Sequence, residues 1–210
     1  MGKILTKKDT MKIILLNILF ISALFAQTGL TVVGGLNQSN QNSEEDLEGF
    51  DINYVSGYNF AVEKSFGIVR IGVGLNQRGV KMDGEESLEG ISVSMEIEQT
   101  LNYLTLHAVY PYEIQENIGV FGGVQLGKGN GGTIDMKMSM SFLGESVSED
   151  VSEDFDAEDM ELEYGLLLGG NYMINEKVGV RASYFKGLSD LAEDAKTKNN
   201  TISVSLLFNL

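Results

Sequence analysis

Apolar residues recur at every second position along most of this chain, a period that belongs to strands and not to helices. The clearest run is the last one, TISVSLLFNL. Ile202, Val204, Leu206, Phe208 and Leu210 fall on one face, and Thr201, Ser203, Ser205 and Asn209 on the other, with Leu207 as the exception. The same alternation runs through Val69, Ile71, Val73 and Leu75, through Leu104, Leu106, Ala108, Tyr110 and Tyr112, and along Leu162 to Ile174. Counting such runs predicts eight strands, over residues 28–37, 49–62, 66–80, 91–112, 118–142, 160–174, 178–189 and 200–210. About ten residues is what a tilted strand needs to cross a bilayer.

One phrase occurs three times, as NFAVEKSFGI from Asn59, PYEIQENIGV from Pro111 and NYMINEKVGV from Asn171, at intervals of 52 and 60 residues. Each copy has an aromatic (Phe60, Tyr112, Tyr172), a branched aliphatic two residues later, a polar stretch, and then an apolar residue followed by Gly and Ile or Val. That order reads as strand end, tight turn and strand start. Three hairpin turns at one level of one sheet are expected, joining the second strand to the third, the fourth to the fifth and the sixth to the seventh, with Phe60, Tyr112 and Tyr172 at their rim.

The chain begins differently. Lys3, Lys7, Lys8 and Lys12 precede an apolar run from Ile13 to Phe25 that is too short to span a bilayer and right for the core of a signal peptide. Residues 1–26 are therefore expected to be cleaved, leaving residues 27–210 as one domain and the protein exported. Removing that segment takes four lysines and Asp9 from 15 basic and 30 acidic residues, so 11 face 29 and the net charge is about −18. Such a sign repels nucleic acid. No cysteine is present, which excludes a disulfide framework and a lipidated N-terminal cysteine.

The charge is concentrated in four polar connections: NQSNQNSEEDLE, KMDGEESLEG, GESVSEDVSEDFDAED and DLAEDAKTKN. They hold 19 acidic residues against Lys81, Lys196 and Lys198, a net of −16. With an even number of strands, both termini join the three short turns at one end and these acidic loops take the other. Short turns on one side, long polar loops on the other and aromatics at a rim are the layout of a transmembrane β-barrel. The strand face opposite the apolar one carries Gly72, Gly74, Gly119, Gly123, Gly165, Gly169 and Gly179 with Arg70, Arg181, Glu163, Asn53, Asn76 and Asn171. Small residues let an interior narrow, and Arg70, Arg181 and Glu163 would pair there as an interior charge cluster. The predicted fold is all-β: an eight-stranded antiparallel transmembrane up-and-down β-barrel after a cleaved signal peptide, its interior filled by side chains and without a wide pore.

The LFAQ at the end of the signal segment, the NEKVGVRASYFKGLSD turn and strand, and the closing NNTISVSLLFNL resemble the small outer-membrane β-barrel proteins of Bacteroidota-type bacteria, described as PorT-like or OmpX- or OmpA-like barrel domains. The resemblance covers the whole chain after the signal. It implies a place in the bacterial outer membrane, surrounded by outer-membrane lipid. It also implies a C-terminal signal read by the barrel-assembly machinery, which here falls on Phe208 and Leu210 because the last residue is not aromatic. The resemblance speaks to location more than to task.

Enzymatic chemistry has little to build on. His107 is the only histidine, which excludes multi-histidine metal sites. A lipid-modifying barrel enzyme would use it with an inward serine such as Ser183; a structural inward histidine is the better-supported reading. Asp154, Asp156, Glu158 and Asp159 supply hard oxygen ligands for a divalent cation, yet the segment lacks the spacing of an EF-hand loop, and acidic runs are usually solvated. Loose bridging of divalent cations at the loops is the stronger expectation. GVGLNQRG and GGVQLGKGNGG lack the lysine followed by Ser or Thr that a phosphate-binding loop requires. Met136, Met138, Met140 and Phe142 form a period-two row, expected either as an exposed ribbon beyond the membrane or packed against Ile91, Val93, Met95 and Ile97.

The composite expectation is a non-enzymatic, monomeric barrel without a cofactor, structural or acting through acidic surface loops. Alternation alone leaves a second reading open. In a soluble, lipocalin-like periplasmic carrier of an apolar ligand, the Ile202, Val204, Leu206 and Phe208 row would point inward.

Overall fold

The computed structural model describes residues 29–43, 50–88, 91–142, 145–157, 160–191 and 197–210. The proposed signal peptide lies outside them, as do Glu158 and Asp159. The described residues form strands β1 (Leu30–Ser43), β2 (Phe50–Asn53), β3 (Val55–Phe66), β4 (Val69–Leu88), β5 (Ile91–Gln115), β6 (Ile118–Phe142), β7 (Glu145–Phe155), β8 (Leu162–Met173), β9 (Val178–Gly187) and β10 (Thr197–Asn209).

Eight of these close a ring. The order runs β4, β3, β1, β10, β9, β8, β6, β5 and back to β4, with every neighbour antiparallel. The first and last strands pair from Thr31 with Asn209 to Ser43 with Thr197, so closure removes the edges that an open sheet would expose. The Leu210 amide donates to the Leu30 carbonyl at 2.9 Å, which puts both ends of the barrel chain beside the short turns.

Those turns fall at residues 67–68, 116–117 and 174–177, inside the three copies of the repeated phrase. The copies are not superimposable. In the first, Gly67 is itself a turn residue with φ of 59°, a backbone conformation that costs a residue with a Cβ about 1–2 kcal/mol. Gly119 and Gly179 instead start strands, opposite Glu113 and Met173. One pattern of residue classes therefore serves turns of different length.

Two strands were not visible as such in the sequence. β2 and β3 lie end to end along β4, their register offset by one residue around Tyr54: Asn53 faces Lys81, while Asn59 faces Asn76. β7 and β8 likewise follow one another along β6. Phe142 to Gly132 pair with Glu145 to Phe155, and Lys128 to Ile118 pair with Leu162 to Tyr172. The acidic segment expected as a long loop is thus mostly strand, and β4 continues through most of KMDGEESLEG, with β5 starting just after it at Ile91. The cause is cross-strand pairing. Val147 and Val151, four residues apart on one face, pair with Met140 and Met136 of β6, so the ladder continues despite low strand propensity.

The register of β5 on β6 slips by one residue between Leu101 and Tyr103, where Gly131 adopts a φ of 90°. This bulge has a consequence for which way side chains point. Below it the odd positions of β6, such as Phe121, Gln125 and Gly129, are buried inside the ring. Above it the even positions continue that face. From the same height β4, β5, β6 and β7, with β2 at the margin, project beyond the ring as a sheet about eleven residues tall, on the order of 35 Å at ~3.4 Å per residue.

Candidate functional site

Inside the ring the side chains are polar and charged, in two separate clusters. Near the short turns, Glu63 on β3 is almost fully buried and faces Arg181 on β9, which donates to both of its carboxylate oxygens, the Nη2–Oε2 distance being 2.9 Å. His107 Nε2 lies 2.9 Å from the same carboxylate, Arg70 Nη1 lies 3.6 Å away, and Arg181 Nε donates to Asn171 at 2.8 Å. Gly72 makes room for this cluster, because a Cβ there would sit 2.4 Å from the imidazole. Farther up, Glu163 on β8 pairs with fully buried Arg78 on β4 and accepts from Asn199 at 2.9 Å. The Arg78 guanidinium stacks over Phe185, 4.0 Å from its centroid.

The expected single cluster of Arg70, Arg181 and Glu163 therefore divides. Arg70 and Arg181 answer to Glu63, and Glu163 answers to Arg78. Glu63 sat unnoticed inside a turn phrase, and Arg78 stood three residues past Leu75, where the alternating apolar run of its strand ends. The tilt of strands in a closed barrel decides which inward residues meet, and a single sequence does not show it. Asn53, expected inside, is exposed on β2 and donates to Asp83 at 2.9 Å.

Between the clusters lies a cavity of about 50 Å³ lined by Glu63, His107, Gln125, Arg181, Ser183 and Thr201, among others. It has room for a few water molecules. Val109, Phe121, Leu167 and Phe185 fill a neighbouring part of the lumen. At the end away from the short turns, Met160 folds back against Leu101 and Tyr103, with Leu191 beside them. Among the described residues the lumen is plugged by side chains.

The outward face has the opposite character. Ile202, Val204, Leu206 and Phe208 are 52%, 64%, 47% and 44% exposed, while Thr201, Ser203 and Ser205 beside them are buried. Leu104, Leu106 and Tyr110 on β5 and Leu162, Leu166 and Leu168 on β8 continue the band around the ring. A soluble carrier needs the reverse arrangement, and the lipocalin-like reading ends here. A barrel with a plugged polar interior and a continuous apolar girdle is built to stand in hydrocarbon. The sequence pattern of the outer membrane protein beta-barrel domain matches residues 13–209.

The chain belongs to that family.

As an outer-membrane barrel it also resembles solved structures in overall fold. Neisserial surface protein A is 11% identical, with 87% of this chain and 98% of that one covered and a TM-score of 0.49. Ail, the attachment invasion locus protein of Yersinia pestis, is 17% identical over 88% of this chain and 100% of that one, with a TM-score of 0.45. The N-terminal barrel domain of Pseudomonas aeruginosa OprF is 10% identical over 88% and 100%, with a TM-score of 0.38. No curated protein matches the sequence.

In this outer-membrane barrel the remaining expected site residues fall as follows. Tyr112 and Tyr172 are exposed beside their turns. Phe60 is exposed too but lies deeper in the wall, opposite Leu75 and Gly34, and Phe66 opposite Val69 is the aromatic of β3 nearest the rim. Phe208 faces outward from β10 and Leu210 closes onto Leu30. His107 and Ser183 line the same cavity, with the imidazole held by Glu63 and enclosed by the wall. Asp154 accepts from Thr133 at 3.1 Å, Asp156 is exposed, and no group of three potential metal ligands forms among the described residues.

The projecting sheet reverses the polarity of the barrel. On the face continuous with the lumen, Ile52, Met82, Ile97, Met136 and Val151 are successive cross-strand neighbours. The rows above read Phe50, Gly84, Met95, Met138 and Glu149, and then Glu86, Val93, Met140 and Val147. The Met row of β6 thus meets the Ile, Val and Met row of β5 and remains half-exposed, so both expectations for it hold in part. The other face, continuous with the apolar girdle, is Ser, Asp, Glu, Thr and Lys: Ser94, Glu96, Ser139, Ser148 and Asp150 are typical. Lys81 on that face lies 3.1 Å from Glu96, a hydrogen bond that holds its ammonium above the ordinary lysine range.

Proposed function

We propose that this is a non-enzymatic, monomeric outer-membrane protein that acts at the cell surface through its projecting sheet and acidic connections, either in envelope structure or in contact with an external partner. The observation that carries the reading is the reversal of outward polarity at the bulge. Leu104 and Leu126 face out below it, and Glu98, Thr100, Thr133 and Asp135 face out above it. A bilayer edge at that height accounts for the change, because apolar positions want hydrocarbon and charged ones water. The short turns then lie on the periplasmic side and the acidic connections outside. There, loose divalent-cation bridging to lipid phosphates fits their charge. Phe208 and Leu210 serve in this reading as the feature read by the barrel-assembly machinery.

Orientation is testable with one residue, because the chain has no cysteine. Ser148→Cys on the water-facing side of β7 is expected to react with a membrane-impermeant maleimide on intact cells. A matching cysteine in the 116–117 turn is expected to react only after lysis. The reverse pattern, or no labelling of Ser148→Cys before lysis, contradicts the reading.

A further inference from the structure

The projecting sheet carries an apolar face that nothing in the chain's described residues covers. Met138, Met140 and Val147 are 49%, 51% and 70% exposed on it, alongside Met95, Ile97 and Val93. An exposed apolar surface at the far end of a membrane barrel calls for an occupant. Its charges select one. Glu86 on β4 and Glu145, Glu149 and Glu153 on β7 share this face, all exposed, and no lysine or arginine in the projecting parts of the strands does. The two lysines in the projecting parts of those strands, Lys81 and Lys137, stand on the opposite face, 3.1 and 3.7 Å from Glu96.

We infer that this face binds a cationic amphipathic polypeptide segment. Its apolar side chains rest on the Met, Ile and Val rows, and its lysines or arginines meet Glu145, Glu149 and Glu153 along β7. Lipid phosphates and nucleic acid carry the wrong sign, and a second copy of the chain brings the same four carboxylates to face themselves. Carboxylates on β7 could also serve only to blunt a free edge, since β7 pairs with β6 alone among the described residues. Edge protection does not account for three rows of apolar side chains beside them. Methionine is flexible and polarisable, so a surface centred on Met95, Met138 and Met140 adapts to more than one partner sequence. The inference rests on the projecting sheet being outside the membrane; membrane insertion is read independently by the mobility shift of the unboiled protein.

The test uses the whole barrel folded into nanodiscs of zwitterionic phosphatidylcholine. The probe is a fluorescent ten-residue peptide of alternating Lys and Ile, with empty nanodiscs as baseline. Saturable binding above baseline is expected. The Glu145→Gln, Glu149→Gln, Glu153→Gln triple variant and the Met95→Ser, Met138→Ser double variant should each weaken it by about tenfold or more. Asp150→Asn with Asp154→Asn, on the other face of β7, should leave it within about twofold. Binding no better than to empty discs overturns the inference. So does an equal loss in the Asp150 and Asp154 variant, or unchanged binding by face variants that still show the mobility shift. Dimers formed through this face, seen in sedimentation and abolished by Met138→Ser, would assign the surface to a second copy and overturn it as well.

Discussion

Glu63→Ala is expected to lower the stability of the barrel by about 3–5 kcal/mol, the usual cost of removing one partner from a buried ion pair. The carboxylate of Glu63 is the shared anionic partner of Arg181, His107 and Arg70, and it is almost fully buried. Its loss leaves one enclosed guanidinium, and a second half-enclosed one, without their counter-charge. Neither can turn outward, because the far side of the wall is the apolar girdle. Glu63→Gln keeps the shape and one acceptor and should cost less. Glu116→Ala, exposed in a short turn, should stay within about 0.5 kcal/mol of the parent. The measurement is urea unfolding in detergent micelles followed by circular dichroism, since the chain has no tryptophan. An unchanged midpoint for Glu63→Ala would show that the lumen does not depend on this carboxylate.

Val204→Arg and Val147→Arg separate exposure to lipid from exposure to water. The two valines are similarly open, at 64% and 70%. Val204 lies near the middle of the outward row of β10, where an arginine in contact with hydrocarbon costs about 2–4 kcal/mol. Val147 lies on the projecting sheet, where water is expected to reach it and the change should stay within about 0.5 kcal/mol. Unfolding from lipid vesicles measures both. Equal small costs would mean that the girdle faces water, and the assignment of the two faces would fail.

Much of the barrel was legible in the sequence, because period-two alternation is a local property that survives folding. The row ending at Phe208 indicates a strand and its two faces without any partner being known. Alternation alone does not say which face is inside, since it is symmetrical; the glycines and charges opposite the apolar row pointed to the polar face, and the burial of Thr201, Ser203 and Ser205 in the closed ring agrees. Turn chemistry located the three hairpins, but the differing places of Gly67, Gly119 and Gly179 within one phrase show that class patterns do not set turn length. The charge pairs were misassigned for a related reason. Arg70, Arg181 and Glu163 share a face, but contact across a barrel depends on strand tilt, and Glu63 and Arg78 were the missing partners. β7 was read as loop because Glu and Asp have low strand propensity, and only its pairing with β6 overrides that.

Electrophoretic mobility of the membrane fraction, with and without boiling, tests the central claim most directly. A closed barrel resists detergent until heated, so the unboiled protein should migrate as a distinct folded band that shifts on boiling, and the soluble fraction should contain none of it. A soluble protein whose mobility does not change on boiling would contradict the account, and would place the Ile202, Val204, Leu206 and Phe208 row inside after all.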